Sequence, residues 1–342
     1  MSSDIIDPIT NKYQRYNSYQ SEILKTKIGY IYGSNLVSLT NSGHHANFIA
    51  IDTLLKLNYK NNINIIISFE DTYYETIDLL LYLKKYNDNI NVYDFDIKND
   101  DIINLFTNLN NQINILFIES CTNPFGYIFN FDLIQTLKKS SEKLYIICDN
   151  SWLSGVLFNP LEYVDIVTIS LTKHYSGGSK ICGACIFNNK ELYDITEEHI
   201  KQSGIHINQQ HLELININID NINERINITQ LLTKHIITYL INNNIEIYHP
   251  MNIYHPSYIH AIKFLKSKYP SIILININKS KEEIEFNLNK LTIIKISPSF
   301  GSDNTTIDPW IYENNNKNYI RLSIGYTSIL DEIINELNIL IK

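Results

Sequence analysis

An aspartate and a lysine, each placed just after an apolar run, are the residues of this chain best able to do chemistry. Leu144–Cys148 is apolar and ends at Asp149-Asn150. Asp165–Ser170 is a second, largely apolar run that leads through Leu171-Thr172 to Lys173 and then to Gly177-Gly178. Both runs read as buried strands, and parallel strands end together at the carboxyl edge of an α/β sheet, where ligands bind. A carboxylate at the end of a buried strand is costly unless a cation pairs with it. An amine able to form a Schiff base and a carboxylate able to hold a protonated pyridine nitrogen are what pyridoxal phosphate (PLP) needs from a protein. Ser170 and Thr172, at alternate positions before the lysine, can offer hydroxyls to a phosphate, and the glycine pair lets backbone come close to a ligand. Taken singly, Lys173 is a solvated lysine and Asp149 a helix cap or loop acid; the arrangement is what argues for function.

Two further stretches add to the set. Asn41-Ser42-Gly43-His44-His45-Ala46 opens the apolar, helical run Ala46–Leu55. Backbone N–H groups at a helix N-terminus bind phosphate, and Gly43 permits close approach; the plainer reading is an ordinary N-cap. Adjacent histidines do not share a helix face, so His44-His45 is not read as a metal pair. Glu119-Ser120-Cys121-Thr122-Asn123-Pro124 ends another apolar run, either as a plain turn or with the Asn123 amide on a ring hydroxyl of a cofactor. Cys182 and Cys185 have the spacing of a redox or metal half-site, but no second pair completes it and Cys185 falls in a strand-like run. No metal is expected.

These residues need a scaffold. Strand-like runs occur at Asn64–Phe69, Asn91–Phe95, Asn114–Glu119, Leu144–Cys148, Asp165–Ser170 and Gly183–Phe187, with helical spacing between them at Thr76–Lys85 and Leu133–Lys139. Such alternation predicts an α/β fold with a mostly parallel, doubly wound sheet. Gln209 to Asn243 reads as one long helix leaving the first domain. A smaller α/β domain follows from about Glu246, with strands at Ile272–Ile277 and Ile293–Ile296 and a closing helix at Glu332–Leu340. The first 25 residues read as a polar, Tyr-rich extended arm. The 342-residue chain has a formal charge of -8, which argues against nucleic acid or an anionic membrane as partner. No uncharged apolar run reaches about 18 residues, so no membrane span is expected. The polar start predicts no secretory leader, and the few cysteines fit a reduced cytoplasmic setting.

Ser-x-Thr-Lys with an upstream Asp149-Asn150-Ser151-Trp152 resembles the Cys/Met-metabolism family of PLP enzymes, which includes cystathionine γ-synthase, cystathionine γ-lyase, cystathionine β-lyase and methionine γ-lyase. The resemblance runs over nearly the whole chain. Tyr13-Gln14-Arg15-Tyr16 is similar to the family's Tyr-Ser-Arg arm, Ser42-Gly43-His44 to its Ser-Gly-Met phosphate turn, and Asp71-Thr72-Tyr73 to the segment whose tyrosine stacks on the cofactor. Glu119–Pro124 resembles Glu-Ser-Pro-Thr-Asn-Pro, and Tyr248-His249-Pro250 through His255-Pro256 resembles Tyr-Pro-Gly-Leu…His-Pro. Ser299-Phe300-Gly301 resembles a Ser-Leu-Gly-Gly loop, and Arg321-Leu322-Ser323-Ile324-Gly325 a segment whose arginine holds the substrate carboxylate; Arg321 is expected just after a strand.

The resemblance implies the fold-type-I PLP transferase fold, with an arm over 1–25, a PLP-binding domain over 26–220 and a C-terminal domain over 221–342. It implies that Lys173 carries PLP and moves protons, that Tyr73 stacks and assists, and that Asp149 holds the ring nitrogen. Ser42, Gly43, His44, Asn123, Ser170 and Thr172 would complete the cofactor site, with Tyr13 and Arg15 reaching a neighbouring subunit's phosphate. Ser299 and Arg321 would bind a small amino-acid substrate. The assembly would be a homo-oligomer, a dimer at least and a tetramer by family habit. Tyr74-Glu75 replaces the family's Gly-Gly, Gly178-Ser179-Lys180 replaces Gly-His-Ser-Asp, and Asn304 stands for a common glutamate. The cofactor frame is kept while substrate-side loops have drifted. The expected activity is γ-elimination or γ-replacement on cystathionine or a related sulfur- or homoserine-derived amino acid. A β-lyase, a fold-type-I aminotransferase and a degenerate PLP-binding homologue are the alternatives.

Overall fold

A computed structural model describes residues 9, 13, 18–98, 102–109, 112–141, 143–314 and 316–341. Arg15 lies outside the described residues. The chain divides into two compact units. Met1–Asn123, Tyr127–Thr172 and Lys180–Ile219 make the first; Pro124–Gly126, Lys173–Ser179 and Asp220–Lys342 make the second.

The first unit begins with α1 (Tyr19–Tyr32), β1 (Val37–Thr40), α2 (Gly43–Leu57), β2 (Ile63–Ile67), α3 (Tyr74–Tyr86), β3 (Ile90–Asp94) and α4 (Ile102–Asn108). It continues with β4 (Ile113–Glu119), α5 (Leu133–Ser140), β5 (Leu144–Asp149), α6 (Ser154–Leu157), β6 (Ile166–Ser170), β7 (Gly183–Phe187), α7 (Lys190–Gln202) and α8 (Gln209–Ile219). Its seven strands lie in the order β1-β7-β6-β5-β4-β2-β3, and only β7 runs against its neighbours. The predicted mostly parallel α/β sheet is therefore present. β2 and β4 are buried along their whole length, as strands covered on both faces must be. Ala46, Ile49, Ala50, Ile51 and Leu54 of α2 are fully buried in the core beside them. Asparagines enter this core because they pair in register: Asn64 on β2 donates to Asn114 on β4 at 2.9 Å and accepts from Asn91 on β3 at 3.3 Å.

The second unit contains α9 (Ile222–Asn242), β8 (Ile247–Tyr248), α10 (Tyr258–Leu265), β9 (Ile272–Ile277), α11 (Lys281–Leu288), β10 (Lys295–Ile296) and β11 (Thr306–Ile307). β12 (Tyr312–Asn314), β13 (Lys317–Ser323) and α12 (Leu330–Ile341) complete it. Its sheet runs β10-β11-β13-β9-β8, with β12 hairpinned onto β13, and is antiparallel except for β10–β11. Ile236 and Leu240 of α9 pack with Ile273, Ile275, Ile320, Leu322 and Leu337 in its core.

Three expectations are corrected. The single helix over Gln209–Asn243 is two, α8 and α9, broken at Asp220-Asn221 where the chain passes between units. The stretch read as an extended arm already contains the start of α1. Ser18 caps that helix by accepting from the Ser21 N–H while the Ser21 hydroxyl reaches back. Arg321, expected just after a strand, sits inside β13.

Candidate functional site

The first unit gathers most of the expected cofactor residues where its parallel strands end. Asp149 is the last residue of β5, in register with Glu119 at the end of β4 and with Thr168 on β6. Asp149 is half-buried, and its carboxylate accepts from the Ser151 N–H and from Asn47 Nδ2, each at 2.9 Å. Glu119 is buried and accepts from the backbone N–H groups of Tyr73, at 2.8 Å, and of Asn123. One carboxyl group thus braces the two segments that carry Tyr73 and Asn123. Burial, and then the negative charge of Asp149, push the Glu119 carboxyl well above its usual range. Tyr73 is the N-cap of α3, its ring edge-on to Tyr74 at 5.1 Å, and burial raises its phenol pKa.

Helix α2 starts beside them. Ser42 caps it by accepting from the His45 N–H at 3.0 Å. Gly43 lies so close to the end of β6 that a Cβ on it would come within 2.5 Å of the Ser170 Cβ. His44 Nδ1 is buried with no hydrogen-bond partner among the described residues. An orphaned nitrogen at a helix start that also offers free N–H groups suits a phosphate-bearing ligand. Ser170 accepts no such role from its backbone, which is tied to the Ser151 hydroxyl at 2.7 Å. The Thr172 hydroxyl is turned onto the Cys182 backbone, at 3.4 Å from its carbonyl. Cys182 and Cys185 are buried free thiols bonded to the Thr40 and Ala46 carbonyls, and burial pushes Cys182 up to about 12. Among the described residues no cluster of histidine, cysteine or carboxylates could hold a metal ion.

The second unit holds the amine and the guanidinium. Lys173 Nζ donates to the Ser299 hydroxyl at 2.9 Å and lies 4.9 Å from the Phe300 ring centroid. The Arg321 guanidinium donates to the Pro298 carbonyl at 2.6 Å and pairs with Asp308. Pro298 and Ser299 are consecutive, so one short segment receives both cations. Arg321 and Asp308 are each 3% exposed. Asp308 also accepts from the Tyr312 hydroxyl at 2.9 Å and the Trp310 N–H at 3.0 Å, so its carboxylate is fixed before it meets the arginine. The loop after Lys173 turns at Gly177 and Gly178, whose φ angles of +66° and +76° favour glycine. Arg225 of α9 holds that loop, donating to the carbonyls of His174 at 2.9 Å and Tyr175 at 3.3 Å.

Asp308, Arg225 and Asn47 were not singled out from the sequence as site residues. Asn47 follows Gly43 by one helical turn, a spacing that places the two on one face of α2. Asp308 precedes a proline in a loop and gives no such signal. Tyr13 is described and 37% exposed.

The chain matches the family described as "Cys/Met metabolism PLP-dependent enzyme" over residues 5–338. It is 28% identical to a cystathionine beta-lyase from Neurospora crassa over 196 residues, which are 56% of this chain and 42% of that protein. The match therefore spans less than half the length of that relative. Among solved structures, cystathionine gamma synthase from Xanthomonas oryzae pv. oryzae superimposes with a TM-score of 0.83 at 18% identity, over 99% of this chain and 90% of that one. A Campylobacter jejuni protein carrying N'-pyridoxyl-lysine-5'-monophosphate gives 0.82 at 20% identity, over 97% and 88%. The structural likenesses show the fold, and the match over nearly the whole sequence shows the family: this chain belongs to the Cys/Met metabolism PLP-dependent enzymes.

Proposed function

We propose that the protein acts on an L-α-amino acid bearing a leaving group at its γ-carbon, by elimination or replacement, with cystathionine or an O-acylhomoserine as the substrate class. The observation that carries this reading is the Pro298-Ser299 segment, which receives Arg321 on a carbonyl and Lys173 on a hydroxyl. An arginine held in that way can grip an α-carboxylate while the lysine stands near the carbons next to it.

Lys173 would carry PLP, and Asp149, Tyr73, Ser42, Gly43, His44, Asn123, Ser170 and Thr172 would hold it, joined by Tyr13 and Arg15 of a neighbouring subunit. When bound, PLP supplies an electron sink for charge that develops on the substrate carbons. Asp149 would keep the ring nitrogen protonated. Lys173, freed when the substrate amine takes its place, would remove the proton from the α-carbon and then one from the β-carbon, whose electron pair expels the γ-substituent, and would afterwards return a proton to the carbon skeleton. The Ser299 hydroxyl orients the Lys173 amine between those positions. Buried Phe300 beside the amine limits access of water to it.

A product screen by mass spectrometry tests the reading. γ-Cleavage of cystathionine yields cysteine, 2-oxobutanoate and ammonia. β-Cleavage yields homocysteine, pyruvate and ammonia, and the 28% identity to a cystathionine beta-lyase makes that the second reading. Cysteine with 2-oxobutanoate, or exchange on an O-acylhomoserine, absent in Lys173→Ala, is the expected outcome. Pyruvate alone would establish the second reading, and no turnover of either class by PLP-loaded protein would end both.

A further inference from the structure

Asn47 is 1% exposed, faces the sheet from α2, and makes a set of bonds with a single consistent direction. Its Nδ2 donates to Asp149 Oδ2 at 2.9 Å and to the Thr76 hydroxyl at 3.2 Å. Its Oδ1 accepts from the Thr168 hydroxyl at 2.5 Å. A carboxylate only accepts, so the amide must present its nitrogen to Asp149; Oδ1 then only accepts, so Thr168 must donate. Thr76 and Thr168 are fully buried, and neither hydroxyl competes with water. Thr168 is also the register partner of Asp149, so the sheet sets the spacing of the whole relay.

We propose that Asn47 is a positioning residue, locked by Thr168, that orients the Asp149 carboxylate and so keeps the cofactor's ring nitrogen protonated. The inference rests on the functional reading above, in which Asp149 meets that nitrogen. With Oδ2 taken by Asn47 and Oδ1 by the Ser151 N–H, the carboxylate plane is held from both sides. The bond from Asn47 is charge-assisted and shielded, and each link of a directed chain polarises the next. The adjoining Glu119 is driven toward its neutral form by burial and by the charge of Asp149.

The test uses holoenzyme loaded with PLP labelled with 15N in the ring, whose chemical shift reports protonation directly. Wild-type protein should keep a protonated ring nitrogen from about pH 6 to 9. Asn47→Leu, which keeps volume and removes the bond, should bring a titration into that window and lower kcat about 10- to 100-fold, the worth of one hydrogen bond to a charge. Thr168→Val keeps the donor to Asp149 but unlocks the amide, and should move the shift in the same direction by less. If Asn47→Leu does not fold, Thr168→Val carries the test. A wild-type ring-nitrogen shift across the window in every variant that folds and binds PLP overturns the proposal. Failure of the wild-type chain to take up labelled PLP overturns the functional reading itself.

Discussion

At the scale of single residues, the arginine that would meet substrate is already engaged. Arg321 is buried against Asp308 and the Pro298 carbonyl, and Asp308 is itself fixed by Tyr312 and Trp310. Such a guanidinium loses little freedom when a second carboxylate arrives, because its rotamer is set beforehand. Lysine in its place keeps the charge and loses the fork. Arg321→Lys should therefore lower kcat/KM by about 30- to 150-fold, equivalent to about 2 to 3 kcal/mol, with the visible spectrum of bound cofactor unchanged. Steady-state kinetics beside an absorbance scan would check this. Loss of cofactor with unaltered kinetics per loaded site would mean that Arg321 is structural.

Among the elements, the segment between β8 and α10 repeats one device. In His249-Pro250-Met251, His249 Nδ1 accepts from the Met251 N–H at 3.2 Å and Nε2 bonds the Pro270 carbonyl at 3.0 Å. In His255-Pro256-Ser257, Nδ1 accepts from the Ser257 N–H at 3.1 Å and Nε2 bonds the Phe125 carbonyl at 2.9 Å. Each ring is thereby fixed as the neutral tautomer, with its proton on Nε2. Burial lowers the His249 pKa from 6.5 to about 3 and that of His255 to about 4. Both folded values lie below the unfolded one, so the stability they contribute is complete above pH 6.5 and is lost as pH falls toward 4. Between pH 7 and 5 each should cost about 2 kcal/mol. Urea midpoints of wild type and His255→Asn across that range are the measurement; an equal slope in the two proteins would refute the assignment.

The same scale shows what the sequence could and could not disclose. Parallel strands are buried on both faces, so β2, β4 and β6 stand out as Ile-rich runs, each with a single polar residue inside it, and the acids and hydroxyls at their ends mark the edge of the candidate site. In the second unit β11 and β12 are two and three residues long, too short to show any alternation, and β13 opens on polar Lys317 and Asn318 and carries Arg321 in its buried part, so that Arg321 reads as following a strand instead of lying inside one. The α8–α9 break was hidden because Ile/Asn alternation fits a helix face and a strand equally well. Asn47 was hidden by abundance: in a chain this rich in asparagine, one that bonds the Asp149 carboxylate looks like any other. Arg225 depends on contacts 50 and 51 residues away, and Asp308 on the pairing of β11 with β13 that brings it to Arg321, neither of which periodicity can report.

For the whole molecule, the arm and the lysine are expected to serve different copies of the site. Arg15→Ala and Lys173→Ala should each be inactive alone and recover up to about a quarter of wild-type activity when mixed, dissociated and reassembled, because random pairing of two variants restores half of the sites in half of the dimers. Light scattering on the same samples gives the oligomeric mass. Full activity in a monomer would contradict a shared site.

The loop from Lys173 to Ser179 sits in the middle of the first unit's sequence, yet its partners come much later in the chain. Arg225 is 51 residues beyond His174, and Ser299 is 126 residues beyond Lys173. A ribosome delivers the chain from its amino end, so the strands of the sheet bearing Asp149 are complete at Phe187, before Arg225 and Ser299 have been made. Closing a loop that long is also among the slower steps of folding. The edge proposed to dock the cofactor is thus made early and the partners of the lysine proposed to anchor it late, so between Phe187 and Ser299 a nascent chain has all the strands of the first sheet but not yet the hydroxyl that receives Lys173.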